Sequence, residues 1–196
     1  MKVYIPTSDP SNHILKIFAY FFNKYWSEDV EVKFLGFKDP QVELPDNFEF
    51  ISLASEQKGG VQQWSTYLRE FFQSIDDEFF IFACDDHLLV RPVDQKLFEE
   101  VKWTAINLNN VGRFDLTASI QHAQERKGSV FPYKENRTVL ELAQYSSGKF
   151  IYRITGQWSI WNRQYFLRYM QPGWRPADWE IVGGRMAEGD GWKILG

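Results

Sequence analysis

Residues 79–84 read FFIFAC, a run of six apolar residues that ends at Asp85, Asp86 and His87. A strand that is buried on both faces has such a continuous apolar sequence, and strands of this kind lie inside parallel sheets that helices cover on both sides. This run therefore favours an α/β fold in which further strands and helices surround it.

The first half of the chain alternates between strand and helix patterns. Residues 3–6 (VYIP) indicate a short buried strand, which ends in a cluster of turn-forming residues where Ser11 or Asn12 is placed to cap a helix. Apolar residues then recur at helical spacing, as expected for one buried helix face. They are Ile14, Ile17, Phe18, Phe21, Phe22 and Tyr25.

The same analysis continues along the chain. Alternating or apolar segments predict strands at 30–37, 48–54, 103–108 and 150–155, and helical spacing predicts helices at 64–75 and at 162–170, the latter capped by Asn162. The stretch 111–149 is polar and irregular. We therefore predict a single α/β domain over residues 1–196, with a Rossmann-like, mostly parallel sheet flanked by helices.

Composition excludes several classes of protein. The net charge is −4, and the Lys and Arg residues are scattered, which opposes nucleic acid as a partner. A single cysteine excludes an internal disulfide framework and a Cys-rich zinc site. Because no stretch approaches about 18 uninterrupted apolar residues, no transmembrane segment is expected, and the sequence predicts a soluble cytoplasmic protein.

The acidic cluster after residue 84 has a chemical interpretation. In open α/β sheets, ligands bind beyond the carboxyl ends of the strands, which is where Asp85, Asp86 and His87 are expected. Adjacent carboxylates repel each other unless a cation or hydrogen-bond donors compensate their charge. A divalent metal that carries a diphosphate would do so, because hard cations bind carboxylate and phosphate oxygens together. The alternative is that the two aspartates only form a turn.

Residues 64–94 (WSTYLREFFQSIDDEFFIFACDDHLLVRPVD) resemble the middle of GT-A type nucleotide-sugar glycosyltransferases. There an amphipathic helix leads through an acidic turn into a hydrophobic strand that ends in a DxD-like motif. The similarity extends to VYIPTSDP at 3–10, TGQWSIWNRQYFLRYM at 155–170 and WRPADWE at 174–180. One departure is that a DxD motif would have an acid at the position of His87. Histidine can bind manganese, but the sequence is also compatible with a metal-independent enzyme.

The resemblance implies a hexosyl transfer from a nucleoside diphosphate sugar to a saccharide or lipid-linked (glycolipid) acceptor, with inversion and with Mn²⁺ or Mg²⁺. It implies a donor half at 1–100 and an acceptor half at 101–196. The metal would be bound by Asp86 with Asp85 and His87. The general base that deprotonates the acceptor hydroxyl would be Glu180, with Asp178 as the alternative.

Residue types suggest further contacts, each with a structural alternative. The expected donor-binding residues are Thr7, Ser8, Asp9, Lys58, Gln63 and Asp85. Residues 7–9 are equally suited to starting a helix, whereas a surface loop is the favoured interpretation of the segment from Lys58 to Gly60. Trp158 and Trp161 are candidates for stacking on an acceptor sugar, although one of them is expected in the core.

Two other functions remain open from the sequence. A sugar-nucleotide nucleotidyltransferase shares an α/β nucleotide fold, but normally begins with a Gly-rich loop carrying Arg and Lys, which residues 3–12 lack. A non-catalytic saccharide-binding protein would use its aromatic residues alone and would bind no metal at the two aspartates.

Overall fold

A computed structural model of the protein describes residues 1–56, 58–117 and 153–196, together with the backbone of two strands within 130–133 and 137–140. The strands are β1 (Val3–Pro6), β2 (Val32–Gly36), β3 (Phe48–Ser52), β4 (Phe79–Phe82), β5 (Val111–Asp115), β6 (Val130–Tyr133), β7 (Arg137–Leu140), β8 (Ser159–Asn162) and β9 (Lys193–Leu195). The helices are α1 (Leu15–Tyr25), α2 (Trp64–Ser74), α3 (Gln95–Asn107), α4 (Arg163–Tyr169), α5 (Pro176–Asp178) and α6 (Gly184–Met186), with a π-helical turn (Trp179–Gly183) between the last two.

The main sheet has seven strands in the order β3-β2-β1-β4-β8-β5-β9, and β6 and β7 form a separate pair. Strands β1 to β4 are mutually parallel, whereas β8 runs antiparallel to both of its neighbours, β4 and β5. Since β9 is parallel to β5, every strand of the sheet except β8 points the same way. The predicted α/β class with a mostly parallel sheet is confirmed; the division into donor and acceptor halves stays a prediction.

Apolar side chains cover both faces of the sheet. Along β4, Ile81 packs in the layer that contains α1 and α3, whereas Phe80 and Phe82 pack in the layer that contains α2 and α4. This alternation follows from the period of two in a strand. All three side chains are completely buried, which explains why residues 79–84 contain no polar side chain.

Of the two predicted helix caps, the structure contains one. Asn162 caps α4 as expected, because its side chain accepts a hydrogen bond from the Tyr165 amide. Neither Ser11 nor Asn12 caps α1, since a 3₁₀ turn at Asp9–Ile14 precedes that helix and contains both residues.

Residues 103–108 are not a strand, and this prediction was wrong. All but the last of them belong to α3, which Asp94 caps by accepting from the Leu97 amide. The segment resembles a strand because bulky apolar residues surround Thr104, yet Trp103 and Ile106 are exposed while Thr104 and Ala105 are buried. The burial follows a helical period and not a period of two.

In the second half, one predicted strand is not present at the residues that are described, and another strand was missed. The strand predicted at 150–155 lies partly outside the described residues, and within 153–155 the backbone is not a strand; β8 comes later. Strand β5 was missed because Gly112 and Arg113 interrupt its apolar pattern. Glycine is required there, since a Cβ at position 112 would lie 2.5 Å from the Tyr165 ring.

No helix in the described part of the chain combines the length and the apolar character that crossing a bilayer requires.

Candidate functional site

The ends of β1 and β4 form the candidate site. These two strands are parallel neighbours, so their carboxyl ends share one edge of the sheet. Thr7 follows β1, Asp85 lies just beyond β4, and the Thr7 hydroxyl donates a hydrogen bond of 2.7 Å to Asp85 Oδ2. Two residues that the sequence assigned to donor binding are therefore in direct contact.

The Asp85 carboxylate is partly buried, and its pKa is raised. Burial is the main cause, and the nearby Asp86 charge adds to it; hydrogen bonds from Thr7 and Ser11 oppose the increase. The Ser11 hydroxyl also lies 3.0 Å from that of Ser8. The loop after β1 thus surrounds Asp85 with hydroxyl groups, and Ser11 is a site residue that the sequence analysis had considered only as a helix cap.

Asp86 and His87 lie at the surface of the same turn. The Asp86 side chain is 75 % exposed, with its Oδ1 3.7 Å from His87 Nε2. The His87 amide donates to the Cys84 carbonyl at 3.2 Å, and the His87 carbonyl accepts from the Trp158 indole at 2.8 Å. The turn is therefore held from both sides while Asp86 faces solvent.

Glu180 reaches this edge from the end of the chain. Its Oε1 accepts hydrogen bonds from the Thr155 hydroxyl at 3.0 Å and from the Gly156 amide at 2.7 Å. The Gly156 carbonyl in turn accepts from the Cys84 amide at 2.9 Å, directly before Asp85. Thr155 and Gly156 link the acidic turn to Glu180, and the sequence analysis did not assign them a role.

The close approach at this point depends on glycine. A Cβ at position 156 would lie 2.5 Å from Cys84 Sγ. Cys84 is a half-buried residue, and the pKa of its thiol is raised to about 12, first by burial and then by the charges of Asp86, Glu180 and Asp85. The thiol thus lies in the combined field of three carboxylates. It stays protonated at neutral pH and is a small, half-buried side chain, where full burial was predicted.

Asp178 is paired with a neighbouring arginine, which disfavours it as the reserve base. Both of its carboxylate oxygens bind the Arg175 guanidinium, at 2.8 and 3.0 Å, and one of them also accepts from the Arg175 amide. These hydrogen bonds lower the pKa of Asp178 to about 2. Such a carboxylate caps the short helix α5 and is a weak proton acceptor at neutral pH.

Three other predicted donor residues make different contacts among the described residues. The Asp9 carboxylate accepts from the Lys38 amide at 3.1 Å. Lys58 is exposed and lies 3.7 Å from Glu56, and Gln63 accepts from the Thr66 hydroxyl at 2.8 Å. None of the three contacts Thr7, Asp85 or Glu180 in the described structure, so their donor role stays a prediction.

The two tryptophans proposed for the acceptor side face opposite layers. Trp161 is completely buried against Tyr165, Phe166 and Trp179, so the structure excludes it as a platform for a sugar. Trp158 is 7 % exposed and packs in the other layer, against α1. Both tryptophans are core residues, whereas only one of the pair was expected in the core; an acceptor role for Trp158 stays a prediction.

The acidic turn offers hard oxygen ligands, but not a complete metal site. Within the described part of the chain, no group of three or more His, Cys, Asp and Glu side chains is positioned to bind a metal. The exposed Asp86 carboxylate, next to His87, suits an Mg²⁺ or Mn²⁺ ion that takes its remaining ligands from phosphate and water. The residues therefore fit a metal that arrives with a phosphorylated ligand.

No protein-family model matches the sequence, and neither does any curated protein. Solved structures do match. A mannosyltransferase from Pyrobaculum calidifontis, in complex with GDP-Man and Mn²⁺, has a TM-score of 0.50 at 14 % identity over 98 % of this chain and 53 % of its own. CMP:2-keto-3-deoxy-manno-octonic acid synthetase, in complex with CTP, has a TM-score of 0.51 at 14 % identity over 98 % of this chain and 87 % of its own.

Both similarities establish the fold. The chain spans about half the length of the mannosyltransferase, as the coverage of 53 % shows. The Rossmann-like architecture expected from the resemblance to GT-A enzymes is confirmed, and the same architecture occurs in two enzymes whose structures contain a nucleotide or a nucleotide sugar.

Proposed function

We propose that the protein is a glycosyltransferase that moves a hexosyl group from a nucleoside diphosphate sugar to a hydroxyl of a saccharide or lipid-linked acceptor, with inversion. The observation that carries the proposal is the convergence of Asp85, Asp86 and Glu180 on one edge of the sheet, around Cys84 and Gly156. Carboxylates from the middle and the end of the chain meet where α/β sheets bind nucleotides.

Each carboxylate has a distinct role in this proposal. Asp85, held by Thr7, accepts hydrogen bonds from the ribose of the donor, and the exposed Asp86 with His87 binds Mn²⁺ or Mg²⁺ together with the diphosphate. When bound, the metal supplies positive charge that stabilises the leaving diphosphate. The mannosyltransferase of the same fold was solved with Mn²⁺, which supports this assignment.

Glu180 is the proposed general base. Its Oε1 accepts hydrogen bonds from Thr155 and Gly156, while Oε2 has no hydrogen bond among the described residues. Oε2 removes the proton of the acceptor hydroxyl as that oxygen attacks the anomeric carbon from the side opposite the diphosphate. The bond between the anomeric carbon and the phosphate oxygen breaks, its electron pair leaves with the nucleoside diphosphate, and the configuration at that carbon inverts.

A sugar-nucleotide nucleotidyltransferase is the second candidate. The match to the CTP-bound synthetase covers 87 % of that chain, more than the match to the mannosyltransferase does. The loop after β1 opposes this function, because TSDPSN contains neither the glycines nor the basic residues that a triphosphate-binding loop uses. A saccharide-binding protein without nucleotide is less favoured, since Trp161 is inside the core.

A nucleotide panel tests the proposal. The melting temperature is measured with UDP, GDP, CMP and CTP, each with and without Mn²⁺; we expect a nucleoside diphosphate to raise it most, because ligands that bind the native state stabilise it. Transfer from the matching nucleotide sugar to a mixture of saccharides is then followed by release of the diphosphate. A shift only with a triphosphate, with pyrophosphate released, would replace the proposal with nucleotidyl transfer, and no shift with any nucleotide would contradict both.

A further inference from the structure

A cavity of about 660 Å³ lies beside the acidic turn, between α3 and the sheet. Its walls are mostly apolar and come from the segment after His87, from α3, and from the region of β5 and β8. Characteristic lining residues are Leu88, Leu89, Phe98, Val101, Phe114 and Trp158. This volume falls within the range of about 300–1,000 Å³ of small-molecule sites, which are also mainly apolar.

The packing of α3 leaves this space open. Within the helix only Thr104 and Ala105 are buried, whereas Phe98 and Val101 are half-buried and line the cavity. At its rim, Leu97 is 40 % and Val90 79 % exposed. Apolar surface in contact with water is unfavourable in proportion to its area, so an apolar ligand gains free energy by covering it.

Two polar residues of the cavity wall, Asp115 and Thr117, already have hydrogen-bond partners. Asp115 Oδ1 accepts from both the amide and the hydroxyl of Thr117, and Asp115 Oδ2 lies 3.3 Å from the Arg113 guanidinium. A base or a sugar needs several hydrogen-bonding partners, which Asp115 and Thr117 do not offer; the other polar lining residues are Arg91, Asp94, Glu100 and Thr104. An aliphatic chain needs no such partner, and it matches the apolar majority of the walls.

The cavity wall adjoins the acidic turn of the candidate site. Leu88 directly follows His87, and the indole of Trp158 in the cavity wall donates to the His87 carbonyl. A ligand with its polar end near Asp86 and its apolar end in the cavity would span both regions. We infer that the cavity binds the aliphatic chain of a lipid-linked acceptor; this assignment rests on the proposed glycosyltransferase function and selects the lipid-linked acceptor over the free saccharide.

Alkyl maltosides test the inference without the need for the natural acceptor. Binding of octyl, decyl and dodecyl maltoside, below their micelle concentrations, is measured by isothermal titration calorimetry, with maltose as the control that lacks a chain. We expect no measurable binding of maltose and a rise in affinity of up to about tenfold for each two methylenes. Affinity that does not depend on chain length would overturn the inference.

Variants locate the binding within the cavity. Val101→Phe places a ring in the cavity and Leu97→Glu a charge at its rim, where partial exposure lets the protein fold. Both are expected to weaken dodecyl maltoside binding at least tenfold. Ile106→Phe is the matched control, because Ile106 is exposed on the same helix and is not part of the lining. If Ile106→Phe weakens binding as much as Val101→Phe, the chain binds elsewhere and the inference is wrong.

The nucleotide panel separates this inference from the proposed function. Nucleotide binding without chain binding leaves the proposed function intact and overturns the inference. Chain binding that Val101→Phe removes, in a protein that binds no nucleotide, overturns the proposed function and with it the identification of the lipid as an acceptor. Both kinds of binding together support the inference.

Discussion

Glu180 and Asp178 are two residues apart, but their surroundings differ in a way that decides their chemistry. Asp178 is paired with Arg175 through both oxygens, whereas Glu180 keeps Oε2 available after binding Thr155 and Gly156 with Oε1. A base must be both oriented and able to accept a proton. This difference in hydrogen bonding is why Glu180, and not Asp178, is the proposed base.

Replacement of Glu180 by Gln is therefore expected to lower transfer about 10²- to 10⁴-fold, the usual effect of losing a general base. Glutamine keeps an oxygen that accepts from Thr155 and Gly156, so folding and the nucleotide-dependent thermal shift should be unchanged. Single-turnover rates measure the effect. Asp178→Asn is the control and should retain wild-type rates. If the slow variant is Asp178→Asn and Glu180→Gln transfers normally, the base has been misassigned.

Asp85 provides a prediction about pH. Because its pKa is raised above the ordinary 3.8 in the folded state, the native protein holds this proton more tightly than the unfolded chain does. Its contribution to stability is then fully present below about pH 3.8 and is lost as the pH rises through the raised pKa. Asp85→Asn should accordingly be more stable than wild type at pH 7, with a smaller difference at pH 4.

Urea denaturation at the two pH values measures this difference. The Asn amide oxygen still accepts from the Thr7 hydroxyl, so the contact is kept while the buried charge is removed. Nucleotide binding by the variant should be weaker, because the Asp85 charge is expected to serve binding although it lowers the stability of the folded protein. A variant that is less stable than wild type at pH 7 would show that Asp85 is held in place as a structural residue.

At the scale of elements, the contact between Cys84 and Gly156 determines how residues 153–156 lie against the end of β4. Gly156→Ala puts a Cβ about 2.5 Å from Cys84 Sγ, and overpacking of this kind typically costs about 1–3 kcal/mol. Cys84→Ala removes the sulfur. We expect the double variant to recover most of the stability that Gly156→Ala loses, as a double-mutant cycle in urea would detect. Strictly additive losses would contradict this explanation.

The elements also show where sequence patterns predict structure and where they do not. Helices α1 and α2 and strands β1 to β4 were predicted because each buries one stripe or a continuous run of apolar residues. Helix α3 was missed because it faces a cavity and exposes Trp103 and Ile106, so its apolar residues do not form a single buried stripe. Strand β5 was missed because it contains a buried arginine, Arg113, which hydrogen-bonds to Ser159.

At the scale of the whole molecule, only part of the site was predictable. The meeting of Thr7 and Asp85 follows from the rule that parallel neighbours end at one edge. The arrival of Glu180 depends on contacts between distant segments, which no local pattern encodes; its position was expected only from the resemblance. The same limit explains Trp161, whose face is decided by the register of β8 against β4.

The proposed joint binding of metal and nucleotide would be a property of the assembled edge, and Asp86 tests this proposal. Asp86→Asn removes an exposed charge without disturbing the turn, so the melting temperature without ligand should stay within about 1 °C of wild type. For wild type, a nucleoside diphosphate with Mn²⁺ at about 100 times its Kd adds about 2.7 kcal/mol, or roughly 5–10 °C for a chain of this size. We expect Asp86→Asn to lose the part of this shift that depends on Mn²⁺.

Asp46→Asn is the matched control, because Asp46 is exposed just before β3, at the opposite edge of the sheet. If Asp86→Asn keeps the full shift with Mn²⁺, the acidic turn does not bind the metal, and nucleotide binding at this edge depends on Asp85 and its hydroxyl partners.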